Sequence, residues 1–126
     1  MTSRQILVVE DNERNMRLFC DVLRASGYRT LEATTGESAV ERALEHGPDL
    51  VLMDIQLPDI DGVEALARLR ADERSASLPV LALTAQAMEG DRERFLAAGF
   101  DGYLSKPVDI AEFVATVKRY CEEDGR

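Results

Sequence analysis

Two acidic residues, Glu10 and Asp11, directly follow the apolar run Ile6-Leu7-Val8-Val9, and a third, Asp54, directly follows Leu50-Val51-Leu52-Met53. Two further runs end in a hydroxyl and an ammonium: Val80-Leu81-Ala82-Leu83 leads into Thr84, and the stretch 101–105 leads into Lys106-Pro107. If those ends meet, three carboxylates about 5 Å apart repel by about 3 kcal/mol per pair at an effective dielectric near about 20. Such a cluster takes up protons, binds a cation or weakens the fold. Hard oxygen ligands at this density suit Mg²⁺, which keeps several waters and accepts a phosphate oxygen. Zinc is disfavoured, because the single His46 and the distant Cys20 and Cys121 offer no ligand spacing. Glu10, Asp11 and Asp54 are therefore the candidate metal carboxylates. The set matches phosphoryl transfer onto a carboxylate, with Asp54 as nucleophile and a metal neutralising charge between the attacking and transferring oxygens. Lys106 suits one phosphoryl oxygen as a point charge, and the Thr84 hydroxyl suits another. Backbone N–H groups around Ile55 and Gln56 can complete the cradle.

These residues converge only if the elements carrying them lie side by side. Strand-length apolar runs alternate with amphipathic stretches along the whole chain. The first run leads to a helix capped by Asn12 or Asp11, with Met16, Leu18, Phe19, Val22 and Leu23 on its inner side and Gly27 beyond its end. Tyr28 to Glu32 reads as a second strand, and Thr35 caps a helix that Gly47-Pro48 terminates. Leu50 to Met53 is a third strand, and Asp61 opens a helix through Val63, Leu66 and Leu69. Val80 to Leu83 is a fourth strand, followed by a helix around Met88 to Ala98. Asp101 to Ser105 holds a short fifth strand, and a last helix carries Ile110, Phe113, Val114, Val117 and Tyr120. Five βα units with continuously apolar strands imply an α/β fold with a parallel sheet covered on both faces. Right-handed crossovers make the flavodoxin-like (βα)5 doubly wound sheet, strand order 2-1-3-4-5, the leading topology. In that order the crevice at the carboxyl ends of strands 1 and 3 is where ligands bind.

The 126 residues are expected to form one domain, core about 5–121, with no linker or output domain. A net charge of −9 from 24 acids and 15 bases weighs against nucleic-acid binding. No apolar run approaches the length of a membrane span and no secretion signal precedes the first strand, so a cytoplasmic protein without a membrane partner is expected. Cys20 and Cys121 each sit in a helical pattern beside apolar neighbours and read as buried thiols. Taken singly, each site residue has a plain alternative: Asp11 or Thr84 as a helix cap, Asp54 as a turn residue beside Pro58, Lys106 as a surface charge. Their shared placement at the carboxyl ends of strands favours a site.

On these residues the sequence resembles the response-regulator receiver domains of bacterial two-component systems, from about Gln5 to Tyr120. The carriers are ILVVEDN at 6–12, LVLMDIQLPDIDG at 50–62, LALTA at 81–85 and GYLSKP at 102–107. VEDNERNM and MDIQLPDIDG resemble in particular the DivK-like (CheY-like) single-domain regulators. The resemblance implies that Asp54 is the phosphoacceptor, that Asp11 binds the metal directly and Glu10 through water, and that Gln56 contributes its backbone carbonyl. It implies Mg²⁺ as cofactor, with Mn²⁺ able to substitute. Thr84 and Lys106 match the switch hydroxyl and the phosphate-binding lysine, and Lys106-Pro107 matches a cis bond. Tyr103 matches an aromatic that swings inward as Thr84 moves, with Ala85 small enough to leave it room. The side chains of Gln56 and Gln86 match positions that tune hydrolysis of the aspartyl phosphate. The implied partners are a sensor histidine kinase or histidine phosphotransferase and a downstream kinase or adaptor protein, with the chain a monomer or weak dimer. Arg14, Asn15, Arg17 and Leu18 on the first helix are the expected kinase-docking face. Ala85, Ala87, Met88, Ala97 and Ala98 offer either a partner surface or ordinary core.

Rival functions on similar chemistry fit less well. A haloacid-dehalogenase-like phosphatase needs a second acid two residues after the nucleophile, where this chain has Gln56. A flavodoxin needs a phosphate loop after the first strand, where Glu10-Asp11-Asn12-Glu13 would repel an anion. Neither GxxxxGK[ST] nor GxGxxG occurs. A fold-only adaptor would not need every chemical position filled. A signalling module acting on itself, not an enzyme with a separate substrate, is the expected function, and shuttle and effector roles in a relay remain equally open.

Overall fold

A computed structural model of the chain describes residues 4–85 and 91–123. Strands β1 (Gln5–Val9), β2 (Arg29–Ala33), β3 (Leu50–Asp54), β4 (Val80–Thr84) and β5 (Gly102–Ser105) form one parallel sheet in the order β2-β1-β3-β4-β5. Helices α1 (Glu13–Ala25), α2 (Gly36–His46), α3 (Gly62–Ala71), α4 (Asp91–Ala98) and α5 (Ile110–Lys118) alternate with them, and α5 runs on into a π turn, Arg119–Glu123. The expected flavodoxin-like topology is the one found.

Side-chain alternation along the strands divides the core in two. Ile6, Val8, Leu50, Leu52, Leu81, Leu83 and Leu104 pack with Phe19 and Leu23 of α1 and Phe113 and Val117 of α5. Phe19 and Phe113 stack across this layer with ring centroids 5.2 Å apart. Leu7, Val9, Val51, Met53, Val80 and Ala82 face the other way, onto α2, α3 and Phe95 of α4. Burial of β1, β3 and β4 on both faces explains why these strands read as unbroken apolar runs.

Capping residues set where the helices begin. Asn12 is the N-cap of α1, its side chain accepting from the Asn15 N–H at 3.0 Å, so Asp11 is not used as a cap. Thr35 caps α2 in a capping box with Ser38, Asp61 caps α3 and Asp109 caps α5. The second strand starts one residue later than expected, because Gly27 (φ 95°) turns the chain and Tyr28 bonds back to Leu23 before pairing begins. Asp101 lies outside the fifth strand, since its carboxylate accepts from the Val80 N–H and from Arg70. Leu18, expected on the inner side of the first helix, is instead exposed, since it lies just off the inward stripe, and Val63 and Ile110 are likewise exposed on their helices. Ala97 and Ala98 are exposed, which places them outside the core. Gln86, Ala87 and Met88, and with them the expected start of the fourth helix, fall outside the described residues. Among the described residues no helix is long and apolar enough to cross a membrane.

Cys20 and Cys121 both lie in the α1–α5 layer, 1% and 2% exposed. Burial, with Glu32 nearby, pushes the Cys20 thiol up to about 11, which keeps it a poor nucleophile at neutral pH. Ellman's reagent at pH 8 should therefore leave both thiols of the folded chain unreacted and titrate both after unfolding in urea. Rapid modification under native conditions would contradict this packing.

Candidate functional site

The register carries the acidic residues together. Val9 pairs with Met53, so Glu10 and Asp54 leave neighbouring strands side by side. Asp54 itself is level with Leu83 of β4, and Thr84 is level with Ser105 of β5, one residue before Lys106. The Lys106 N–H donates to the Thr84 carbonyl at 2.8 Å, which fastens the end of β5 to the end of β4. Crossovers from β1 and β3 to opposite faces open the crevice at this edge.

Carboxylate oxygens of Glu10, Asp11 and Asp54 all lie within 4.8 Å of one another. Glu10 is 1% exposed and Asp54 5%, while Asp11 is open to solvent. Lys106 Nζ lies 2.7 Å from Glu10 Oε1 and donates to Asp54 Oδ2 at 2.9 Å. The Gln56 N–H donates to Asp54 Oδ1 at 2.9 Å and the Asn12 N–H to Glu10 Oε2 at 3.2 Å. The Lys106 ammonium is the close partner of the buried Glu10 Oε1, as an ion pair. Burial pushes the Glu10 carboxyl up, and the Asp54 charge adds to this, while Lys106 pulls the other way. Burial alone would lower Lys106, but its contacts with Glu10 and Asp54 together hold the ammonium above the ordinary lysine value.

Among the described residues three carboxylates face one ammonium, which leaves two negative charges uncompensated. The candidate ligands among the described residues are all hard oxygen donors. This donor set fits a divalent cation such as Mg²⁺, with room for waters on the side where Asp11 is exposed. Gln56 is brought to the same place by the hydrogen bond from its backbone to Asp54.

Thr84 is 6% exposed and sits on the opposite side of the sheet from Asp54 by alternation, the side of Val80 and Ala82. Tyr103, paired with Ala82, is half-buried on that same side, its ring centroid 6.0 Å from that of Phe95 in α4. The Thr84 and Tyr103 side chains thus share the layer that α4 covers. Ala85 is exposed, and Lys106-Pro107 is a cis peptide bond.

Residues 6–118 match the family model of the response regulator receiver domain. The chain belongs to this family. It is 47% identical over 118 residues to the polar-differentiation response regulator DivK of Brucella ovis, covering 94% of this chain and 96% of that protein. The receiver domain of a sensor histidine kinase from Pseudomonas aeruginosa, crystallised with a magnesium ion in its active-site cleft, superposes with a TM-score of 0.87 at 40% identity, covering 95% and 98% of the two chains. A CheY-like receiver domain protein from Methanospirillum hungatei superposes at 0.89 with 25% identity over 98% of each chain. Receiver domains are signalling modules of two-component systems, and this chain is a DivK-like member.

Two features of this receiver's site escape a reading of the chain by itself. Gly62 is packed so closely under the strand end that a Cβ there would stand 2.6 Å from the Asp54 carbonyl oxygen and 2.9 Å from Ile55 Cα. Asp59 reaches across to the start of α2, bonding the Gly36 and Glu37 N–H groups at 2.7 and 2.9 Å. The only local signal for Asp59 is the pair of acids in PDIDG, of which just Asp61 stands where a helix cap is expected.

The raised Glu10 carboxyl has a consequence for stability. The folded state holds its proton more tightly than the unfolded one, so this group's contribution is full below the ordinary glutamate value of 4.5 and is lost as pH rises through the folded value. Lys106, raised above 10.5, keeps its contribution throughout neutral pH. Urea unfolding in the presence of EDTA should therefore show stability falling as pH rises above 4.5, and Glu10→Gln should flatten that fall. An unchanged slope in the variant would show that Glu10 is not the strained group.

Proposed function

We propose that this receiver accepts a phosphoryl group from a phosphohistidine donor onto Asp54 and signals by altered protein contact. The observation that supports this most strongly is the Asp54 carboxylate, 5% exposed, with Lys106 Nζ on one oxygen and the Gln56 N–H on the other. An Asp54 oxygen attacks phosphorus as the donor's P–N bond breaks. The bond's electrons leave with the imidazole, which takes a proton, and Asp54 becomes an aspartyl phosphate. Glu10, Asp11, Asp54 and the Gln56 backbone carbonyl would hold Mg²⁺, Glu10 through water, and Mn²⁺ is expected to substitute. When bound, the metal supplies positive charge against the transferring oxygens.

Lys106 then exchanges its Asp54 oxygen for a phosphoryl oxygen, and Thr84 turns its hydroxyl to another. The new group adds nearly two negative charges at a place where carboxylates already crowd, so both donors are drawn in. Movement of Thr84 changes the packing of the layer it shares with Tyr103, and Ala85 leaves space there. The surface of α4, β5 and α5 is the element that reports the change to a downstream kinase or adaptor. The donor is a sensor histidine kinase or a histidine phosphotransferase, and the exposed side of α1 with Arg14, Arg17 and Leu18 is the face proposed to meet it.

Intact mass after incubation with acetyl phosphate should show one added phosphoryl group that requires Mg²⁺ and is absent in Asp54→Asn. Amide spectra of the adduct should shift at Thr84 and Tyr103 as well as at Asp54. Failure to form the adduct with Mg²⁺ present, or an equal adduct on Asp54→Asn, would overturn the assignment.

A further inference from the structure

The loop of residues 55–61 leaves β3 through Gln56, whose N–H donates to Asp54 Oδ1 at 2.9 Å, and returns to α3 at Gly62. Its first and last residues are fixed locally: the Ile55 N–H donates to the Leu83 carbonyl at 3.0 Å, and the Gly62 N–H donates to the Ile55 carbonyl at 2.9 Å. Its tip is fixed by a different element. Helix α2 begins with Gly36, Glu37 and Ser38, whose N–H groups have no partner inside the helix. Thr35 takes the Ser38 N–H in the capping box, and this leaves the first two. Both are taken by the Asp59 carboxylate, Oδ1 from Gly36 at 2.7 Å and Oδ2 from Glu37 at 2.9 Å. Charge-assisted bonds at a helix N-terminus are among the stronger polar contacts available to an exposed carboxylate. Those backbone bonds, the Glu37 N–H first, hold the Asp59 carboxyl down at about 2, so it is charged at every working pH. Gly36 is bare for the same reason: a Cβ there would strike Ile60 Cγ1 and stand 3.0 Å from the Ile60 carbonyl oxygen.

We propose that Asp59 is a positioning residue for the metal and phosphoryl site, clamping the loop that carries Gln56 to the N-terminus of α2. It touches neither Asp54 nor the acidic cluster, and it acts through the backbone of the loop. Gln56 is also held by its own N–H bond to Asp54, and Asp61 by its cap on α3; between them Leu57 and Ile60 are each only partly buried against the α2–α3 layer. Released from α2, the loop lets the Gln56 peptide drift from the oxygens it must accompany, which weakens cation binding before it weakens the fold. The inference rests on the reading of this pocket as a Mg²⁺ site.

Its test is a Mg²⁺ titration of the whole chain, followed by the amide signals of Asp54 and Gln56, beside a thermal melt of each variant. Asp59→Ala should raise the half-saturating Mg²⁺ concentration about tenfold, the range seen when groups that orient metal ligands are removed. Asp59→Asn, which keeps one acceptor oxygen, should raise it less. Gly36→Ala, which pushes on Ile60 from the helix side with Asp59 intact, should raise it as well. A lowered melting temperature with unchanged half-saturation in all three would overturn the proposal and leave Asp59 a structural cap. If Asp59→Ala does not fold, Asp59→Asn and Gly36→Ala decide the matter. No Mg²⁺ binding by the unaltered chain would overturn both this inference and the metal site. Normal Mg²⁺ binding without an acetyl-phosphate adduct would overturn phosphoryl acceptance alone, with Asp59 judged on its own titration.

Discussion

Repulsion among Glu10, Asp11 and Asp54, with carboxylate oxygens within 4.8 Å of one another, sets the terms for the rest of the molecule. At an effective dielectric of about 20 each such pair opposes folding by about 3 kcal/mol, less where Asp11 is screened by water. Lys106 offsets part of this by standing between Glu10 and Asp54 at 2.7 and 2.9 Å. The remainder is a standing demand for positive charge. Under the proposed function a cation would meet it directly, and the same positive charge would admit a phosphoryl group that bare carboxylates would repel. The site is thus held in a state that favours its ligands, at the expense of the fold alone.

The scaffold is arranged so that this strained cluster cannot relax. The central strands β1, β3 and β4, buried on both faces, leave no freedom to slip, because a shift of one residue would turn each leucine and valine onto the wrong layer. The Val9–Met53 pairing fixes Glu10 beside Asp54, and the Lys106-to-Thr84 backbone bond fixes the lysine's origin. Gly62 lets the loop after β3 fold back under the Asp54 carbonyl with no side chain in the way. Thr84 and Tyr103 then sit across the sheet from Asp54, on the layer shared with α4, and under the proposed function a change at Asp54 would be carried through the sheet's edge to this different packing face.

Much of this was legible in the chain because it depends on period and position. Apolar runs of strand length identify the first, third and fourth strands, handedness narrows the order to a few doubly wound forms, and the polar residues at the carboxyl ends point to the pocket. Glu10, Asp11, Asp54, Thr84 and Lys106 needed no tertiary information beyond that topology. Leu18 was misplaced on the inner side because apolar character says nothing about which side of the stripe a helical residue falls on. Asp59 and Arg70 were not legible at all. Each bonds backbone groups of an element far along the chain: Asp59 the start of α2, and Arg70 the carbonyls of Leu78 and Gly99 together with Asp101. Such contacts have no spacing rule, since they are set by how two loops happen to meet.

The central claim is that uncompensated negative charge at the strand ends makes this pocket a cation site. Urea unfolding at neutral pH, with and without Mg²⁺, of the unaltered chain and of Asp54→Asn tests it most directly. The account predicts that Mg²⁺ stabilises the unaltered chain. It predicts that Asp54→Asn is the more stable of the two without metal, by about 1–3 kcal/mol, and gains less when Mg²⁺ is added. An unaltered chain indifferent to Mg²⁺, together with an Asp54→Asn variant no more stable than its parent, would contradict it.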